Sequence, residues 1–252
     1  MEERLNARQN QIYMKLSQFN EVKINELSQV LDVSEMTIRR DLQRMEELGL
    51  LKRTFGGAIK VASEDVRLSE REQRMTDEKK KIGELAAMFI SDGEVVFLDA
   101  GTTTFQIARH LQLGSDVTVV TNAIHVAVEL LGKNIQTIVV GGTLLDTTAS
   151  LIGPIAEDAL SNMAFDSVFL GATGLDIEHG FSNSNMFESE VKRTVIRNAR
   201  SVNIVLDHTK LGVRALASFA RLDEVDRIIT DREPDTEILK TCKDVGVQVV
   251  FI

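Results

Sequence analysis

The sequence predicts an α/β protein in two parts. A small helix-rich head occupies residues 1–60, a charged linker 61–75, and a doubly wound, mainly parallel α/β body 76–252. Three observations carry this. At about 100–200 residues per domain, 252 residues make about two domains, with enough chain to bury a core without disulfides or metals. Before residue 60, apolar positions recur at helical spacing. After residue 82, short β-branched runs without strict alternation are interleaved with helical stretches, as in a parallel sheet covered on both faces.

In the head, Leu5, Ile12 and Leu16, with Gln9 outside the apolar set, define a first helix ending near Phe19 and Asn20. Ile24, Leu27, Val30 and Leu31 suit a short second helix. Asp32, Val33 and Ser34 form the turn, and Ser34 is the expected N-cap of a third helix that reaches about Leu48, with Gly49 as its C-cap. Residues 50–58 read as a tight two-strand ribbon turning at Gly56 and Gly57. On a helical wheel, Ile38, Leu42 and Met45 of the third helix fall within about 60° of one another and form its core face. Met36, Arg39, Arg40 and Gln43 gather opposite, with Thr37 at one edge and Arg44 at the flank. Asp41 lies near the core edge and is expected to pair locally with an arginine. Arginine can bond guanine and glutamine adenine, and either can bond phosphate. A short helix, a tight turn and such a third helix make a helix-turn-helix geometry. Lys52 and Arg53 on the ribbon would lie along a DNA backbone as a wing. The plain alternative is a solvated helix face that happens to carry two arginines.

Residues 61–81 mix charge of both signs and read as a linker that is partly helical. In the body, helices are expected near 82–90, 104–112, 124–132, 154–162 and 186–199. Strands are expected at 95–98, 117–120, 135–140, 167–170, 202–206, 228–229 and 247–251. Polar loops follow several strand ends: Asp99 to Thr104, Thr121 with Asn122, Gly141 with Gly142, and Gly171 to Gly174. Ligands of parallel sheets bind where such loops gather. Gly101 permits close backbone approach, and Thr102, Thr103 and Thr104 open a helix whose N–H groups and hydroxyls suit a phosphate. Each such turn alone is as well explained as a helix cap, and the segment is neither GxGxxG nor a P-loop. Glu188 and Lys192 stand i, i+4 on one helix, as a ligand pair or a surface ion pair. Asp207 and Lys210 follow another strand; the lysine suits phosphate or carboxylate, and the aspartate suits a helix cap.

These motifs together resemble the DeoR family. In the head the resemblance runs through Ser34, Thr37, Ile38, Arg39, Arg40, Asp41, Leu42, Met45, Glu46, Gly49, Leu50, Leu51, Arg53, Gly56, Gly57 and Ala58; Phe55 departs from it, where the family often has His. In the body it runs through Asp99, Gly101, Thr102, Thr103, Thr121, Asn122, Gly141, Gly142, Gly171, Gly174, Leu175, Asp176, Glu188, Lys192, Asp207, Thr209, Lys210 and Gly212. The resemblance implies a winged helix-turn-helix joined to a domain similar to ribose-5-phosphate isomerase. It implies a repressor of carbohydrate catabolic operons that binds a double-stranded DNA operator as a homo-oligomer. The implied effector is a phosphorylated sugar or sugar-alcohol. The threonine loop and Lys210 would hold its phosphate, and Asp99, Glu188 and Lys192 would face its hydroxyls.

Composition bounds the alternatives. One cysteine, Cys242, excludes an internal disulfide and CxxC metal or redox sites, and the four histidines lack ligand spacing, so neither metal nor cofactor is expected. The absence of Trp argues against a stacking platform for single strands. No apolar run is long enough to span a bilayer and the first residues are too polar for a signal, so the expected location is the cytoplasm. Residues 1–60 hold 10 Lys+Arg against 9 Asp+Glu, so the head carries +1 and the remaining residues −10 of the net −9, which leaves the head compatible with DNA. Two other readings stay open. One is an isomerase with Asp99 or Glu188 as base and Lys192 as electrophile; the other is a dimerisation scaffold.

Overall fold

The computed structural model describes residues 8, 9, 11, 12, 15, 16, 21–47, 51–60 and 68–252, with the side chains of Glu47, Lys52 and Lys60 outside that description. The chain divides into two units, Met1–Glu64 and Asp65–Ile252. The expected positions Leu5, Phe19, Asn20, Leu48, Gly49 and Leu50 lie outside the described residues.

In the first unit, the described residues before Glu21 are helical. Strand β1 (Glu21–Lys23), helix α1 (Ile24–Leu31), helix α2 (Glu35–Glu47), β2 (Leu51–Arg53) and β3 (Gly57–Lys60) follow. Asp32 ends α1 in the left-handed region at φ 50°, its N–H bonding the Ser28 carbonyl. Ser34 then caps α2: its hydroxyl accepts from the Thr37 N–H at 3.3 Å. Ile38, Leu42 and Met45 are fully buried against Ile12, Leu16, Leu27 and Leu51. The ribbon has a third strand that the sequence did not announce, in the order β1-β3-β2, all antiparallel. β1 approaches so closely that a Cβ on Gly57 would stand 1.9 Å from the Val22 carbonyl oxygen, so only glycine fits. Asp41 pairs with an arginine, but not a local one: Arg8 reaches it from the first helix at 2.5 Å. Gln9 donates to the same carboxylate at 3.1 Å, which explains a polar residue among the apolar positions of that helix.

The second unit opens with α3 (Leu68–Gln73) and α4 (Thr76–Ala87). Its sheet contains β4 (Val95–Leu98), β5 (Thr118–Thr121), β6 (Gln136–Val139), β9 (Phe165–Gly171), β12 (Ala199–Val205), β14 (Arg227–Thr230) and β15 (Gln248–Phe251), the seven expected runs. Their order is β15-β14-β12-β9-β4-β5-β6, every pair parallel. α4, α5 (Thr102–His110) and α6 (Ile124–Leu130) cover one face, over Val96, Leu98 and Val119. α7 (Pro154–Ser161), α8 (Met186–Arg197) and α9 (Thr236–Val245) cover the other, over Phe97, Val168 and Ile204. Successive residues of β4 thus enter opposite cores, which is why the strand is apolar throughout rather than alternating. The hairpin β7–β8 (Thr143–Leu145, Ser150–Ile152) and the antiparallel sheet β10-β11-β13 (Gly174–Asp176, Gly180–Asn183, Ala217–Ala220) stand beside this core.

The sheet order reverses at β4. From it the chain proceeds outward through β5 and β6, then returns to β9 and proceeds the other way. The crevice between the carboxyl ends of β4 and β9 is therefore the topological switch point, the place where open α/β sheets bind ligands.

Candidate functional site

Each unit carries a candidate surface. In the first, α2 is fixed by its buried stripe, so its opposite side must face solvent. Arg39, Arg40, Gln43 and Ser34 are exposed, Met36 is 60% exposed, and Thr37 and Arg44 are half-buried. Arg39 makes only a loose i, i+4 pair with Glu35 at 3.6 Å, and Arg40 forms no ion pair among the described residues. Arg53 is tied to α2: its N–H and its Nε both donate to the Glu46 carboxylate at 2.8 Å, which sets the wing against the helix. Lys52 lies on the same strand, with its side chain outside the description. Phe55 is fully exposed at the ribbon's turn.

In the second unit the site is at the switch point. Asp99 follows β4 and is 2% exposed. Its Oδ1 accepts from the Gly101 N–H at 2.8 Å and the Thr104 hydroxyl at 2.7 Å. Its Oδ2 accepts from the Gly171 N–H at 2.9 Å, across the crevice, and pairs with Lys192 Nζ at 2.8 Å. Burial alone pushes the Asp99 carboxyl up, but the Lys192 charge and the hydrogen bonds from Lys192, Thr104 and Gly101 outweigh it and hold the group below the usual carboxylate range. Lys192 also donates to the Gly171 carbonyl at 2.5 Å and to Asn183 Oδ1 at 3.2 Å, with its ammonium 4.8 Å above the Phe219 ring centroid. Both ions are thereby saturated. The glycine at 101 is required by this packing: a Cβ there would meet Asp99 Oδ1 at 2.9 Å and Thr104 Oγ1 at 3.0 Å.

Asp99, Ala100, Gly101, Asn122, Asn183, Glu188, Val191, Lys192 and Arg71 line a narrow polar cleft. Five expected residues (Asp99, Gly101, Asn122, Glu188 and Lys192) meet there, and four unanticipated ones join them, the polar Arg71 and Asn183 and the apolar Ala100 and Val191. Glu188 is 8% exposed and, among the described residues, accepts only long bonds, from Ser150 at 3.3 Å and Asn183 at 3.4 Å. Asn122 is 3% exposed; its amide donates to the Leu151 carbonyl at 3.1 Å, while its Oδ1 has no partner among the described residues.

The other expected residues hold structure around the cleft. The Thr121 hydroxyl donates to the Leu98 carbonyl at 2.7 Å and accepts from the Ala123 N–H at 3.0 Å. Thr102 and Thr103 are buried in the first turn of α5. Gly142 packs against Ile152, and Gly141 precedes it after β6. Asp207 caps the short 3-10 turn His208–Lys210, accepting from the Thr209 N–H at 3.0 Å, and Lys210 is half-buried at that turn's end. None of Thr102, Thr103, Thr121, Gly141, Gly142, Asp207 or Lys210 lines the cleft.

Residues 8–64 match the DeoR-like helix-turn-helix domain, and residues 74–232 match the DeoR C-terminal sensor domain. The HTH-type transcriptional regulator GolR of Listeria innocua is 34% identical over 96% of both chains. The HTH-type transcriptional repressor GlcR of Bacillus subtilis is 37% identical over 93% of this chain and 92% of its own. A solved ribose 5-phosphate isomerase A from Methanocaldococcus jannaschii aligns over 54% of each chain, with 17% identity and a TM-score of 0.41, too slight a likeness to carry an argument about chemistry.

Proposed function

Because this chain belongs to the DeoR family of helix-turn-helix transcriptional regulators, we propose that it is a repressor of a carbohydrate catabolic operon, controlled by a phosphorylated sugar or sugar-alcohol. The observation that carries the reading is the solvent face of α2, where Arg39, Arg40 and Gln43 stand outward on a helix anchored by a closed apolar stripe. Ser34, Met36, Thr37, Arg39, Arg40, Gln43 and Arg44 would meet base edges and phosphates, and Lys52 and Arg53 the flanking backbone.

The protein acts in the cytoplasm on double-stranded operator DNA, as a homo-oligomer reading paired half-sites. Support for the oligomer is an apolar margin: the edge strand β6 exposes Ile138 and Val139, α6 exposes Val128, and Leu131 just after α6 is exposed too. The effector occupies the switch-point cleft, with Glu188, Asn122 and Asn183 toward its hydroxyls. A non-catalytic cleft is the better reading because Asp99 already accepts from four donors and Lys192 is paired to it, leaving neither poised as base or electrophile.

The test selects a duplex from random-sequence DNA with the full chain and titrates it with and without a panel of sugar phosphates. The expected result is a specific duplex whose affinity changes with at least one of them. Failure to enrich any duplex sinks the DNA-reading role, and turnover of a sugar phosphate revives the enzyme.

A further inference from the structure

Resting on the sugar-phosphate reading above, we propose that Arg71 binds the anionic end of the effector. The donors that a phosphate would first seek in this cleft are committed. Lys192 is neutralised by Asp99, and the Gly101 N–H and the Thr104 hydroxyl are directed at the same carboxylate. Arg71 lines the cleft and forms no ion pair among the described residues. A guanidinium offers a planar fork of donors that matches phosphate oxygens.

The surroundings hold Arg71 in place and make that corner attractive to an anion. The Leu68 N–H, at the start of α3, bonds the Thr147 carbonyl at 2.8 Å. At its far end the buried Lys79 ammonium donates to the Arg71 carbonyl and, at 2.6 Å, to the Arg74 carbonyl. Burial pushes Lys79 down to about 8; Asp207 opposes this, while Arg71, Lys210 and Arg74 add to it. Arg71, Arg74, Lys79 and Lys210 therefore share one electrostatic neighbourhood, answered there by Asp207. The same cleft is lined by acceptors, Glu188 and the buried Asn122 Oδ1, which has no partner among the described residues. A cation and hydroxyl acceptors in one cleft are the complement of a polyol phosphate.

The test is calorimetry on the full chain with Arg71→Ala and Arg71→Gln. The probes are fructose 6-phosphate, ribose 5-phosphate and glycerol 3-phosphate, each beside its unphosphorylated counterpart, and inorganic phosphate. Wild type should prefer at least one phosphorylated member to its counterpart, and both variants should lose at least about tenfold of that preference. Both should bind the selected duplex as wild type does without ligand, and should need more ligand to change that binding. If either folded variant keeps the full preference, the role of Arg71 is overturned while the sugar-phosphate reading stands. If wild type prefers no phosphorylated member, the reading itself falls and Arg71 with it.

Discussion

The solvent face of α2 and the cleft at the switch point both depend on charged side chains, yet they hold them at opposite ends of the dielectric scale. Arg39 and Arg40 stand in water, one loosely paired and one without an ion pair among the described residues. Lys192 and Asp99 are 6% and 2% exposed and locked together. An exposed pair contributes about 0–1 kcal/mol and is easily exchanged for a new partner, so the α2 cations are available to a polyanion. A buried pair has been stripped of water and is hard to part, so it shapes a site more readily than it binds a guest. Removing a charge should therefore cost binding in the head and folding in the body.

The largest effect should come from Lys192→Met, which keeps the volume and leaves Asp99 buried without its counter-ion. Stripping one member from a buried pair is worth about 3–5 kcal/mol, so calorimetric Tm should fall by on the order of 10 °C. Adding Asp99→Asn should recover part of the loss, because the two sites are coupled. An unchanged Tm in the single variant would break the comparison at its stronger end.

The converse holds for Arg40→Ala and Arg39→Ala. Each should weaken the selected duplex by about 1–3 kcal/mol while Tm stays within experimental scatter. If the lost contact is to phosphate, the log–log salt slope should shrink by about one. Arg39 also releases Glu35 from a loose pair, so its loss is expected to be the smaller. Wild-type affinity in both variants would mean that another element reads the DNA.

How far this difference could be read from sequence depended on whether the deciding partner was near or far along the chain. The core stripe of α2 follows from helical periodicity, and its exposed face follows with it. All seven sheet strands were visible as buried β-branched runs, and the crevice follows from their order. The partners inside the crevice were not visible. Glu188 and Lys192 suggested an i, i+4 pair, but Lys192 turns to Asp99, at the end of a strand on the far side of the switch point. Arg71 sat in a run of mixed charge without apolar period, which reads as linker; its helix belongs to the second unit. The threonine loop looked like a phosphate cradle, whereas the Thr104 hydroxyl completes the shell of Asp99. The short strands β7, β8, β10, β11 and β13 are three or four residues long and exist through their neighbours, so no local pattern announces them. α9 was likewise passed over, although Asp235 caps it by accepting from the Ile238 N–H at 2.9 Å.

His125 gives the finest test, because it lies on the buried side of the comparison without an ion pair among the described residues. Both ring nitrogens are buried with no hydrogen bond among the described residues, and the ring rests 5.4 Å from that of Phe105. Burial lowers its pKa from 6.5 to about 4, with Asp99 and the Gly101 backbone opposing the shift and Arg71 reinforcing it. Between those two values the unfolded chain binds a proton that the folded chain refuses. The neutral imidazole therefore contributes its stability in full above pH 6.5 and loses it as pH falls toward 4. After discounting for the partial exposure of the residue, the effect is on the order of 1–2 kcal/mol. His125→Gln does not titrate, so its Tm should decline less steeply than that of wild type over that interval. The two should run parallel above it. Parallel curves throughout would mean that the imidazole pays no penalty for its burial, and that water reaches the ring more freely than the packing of Phe105 implies.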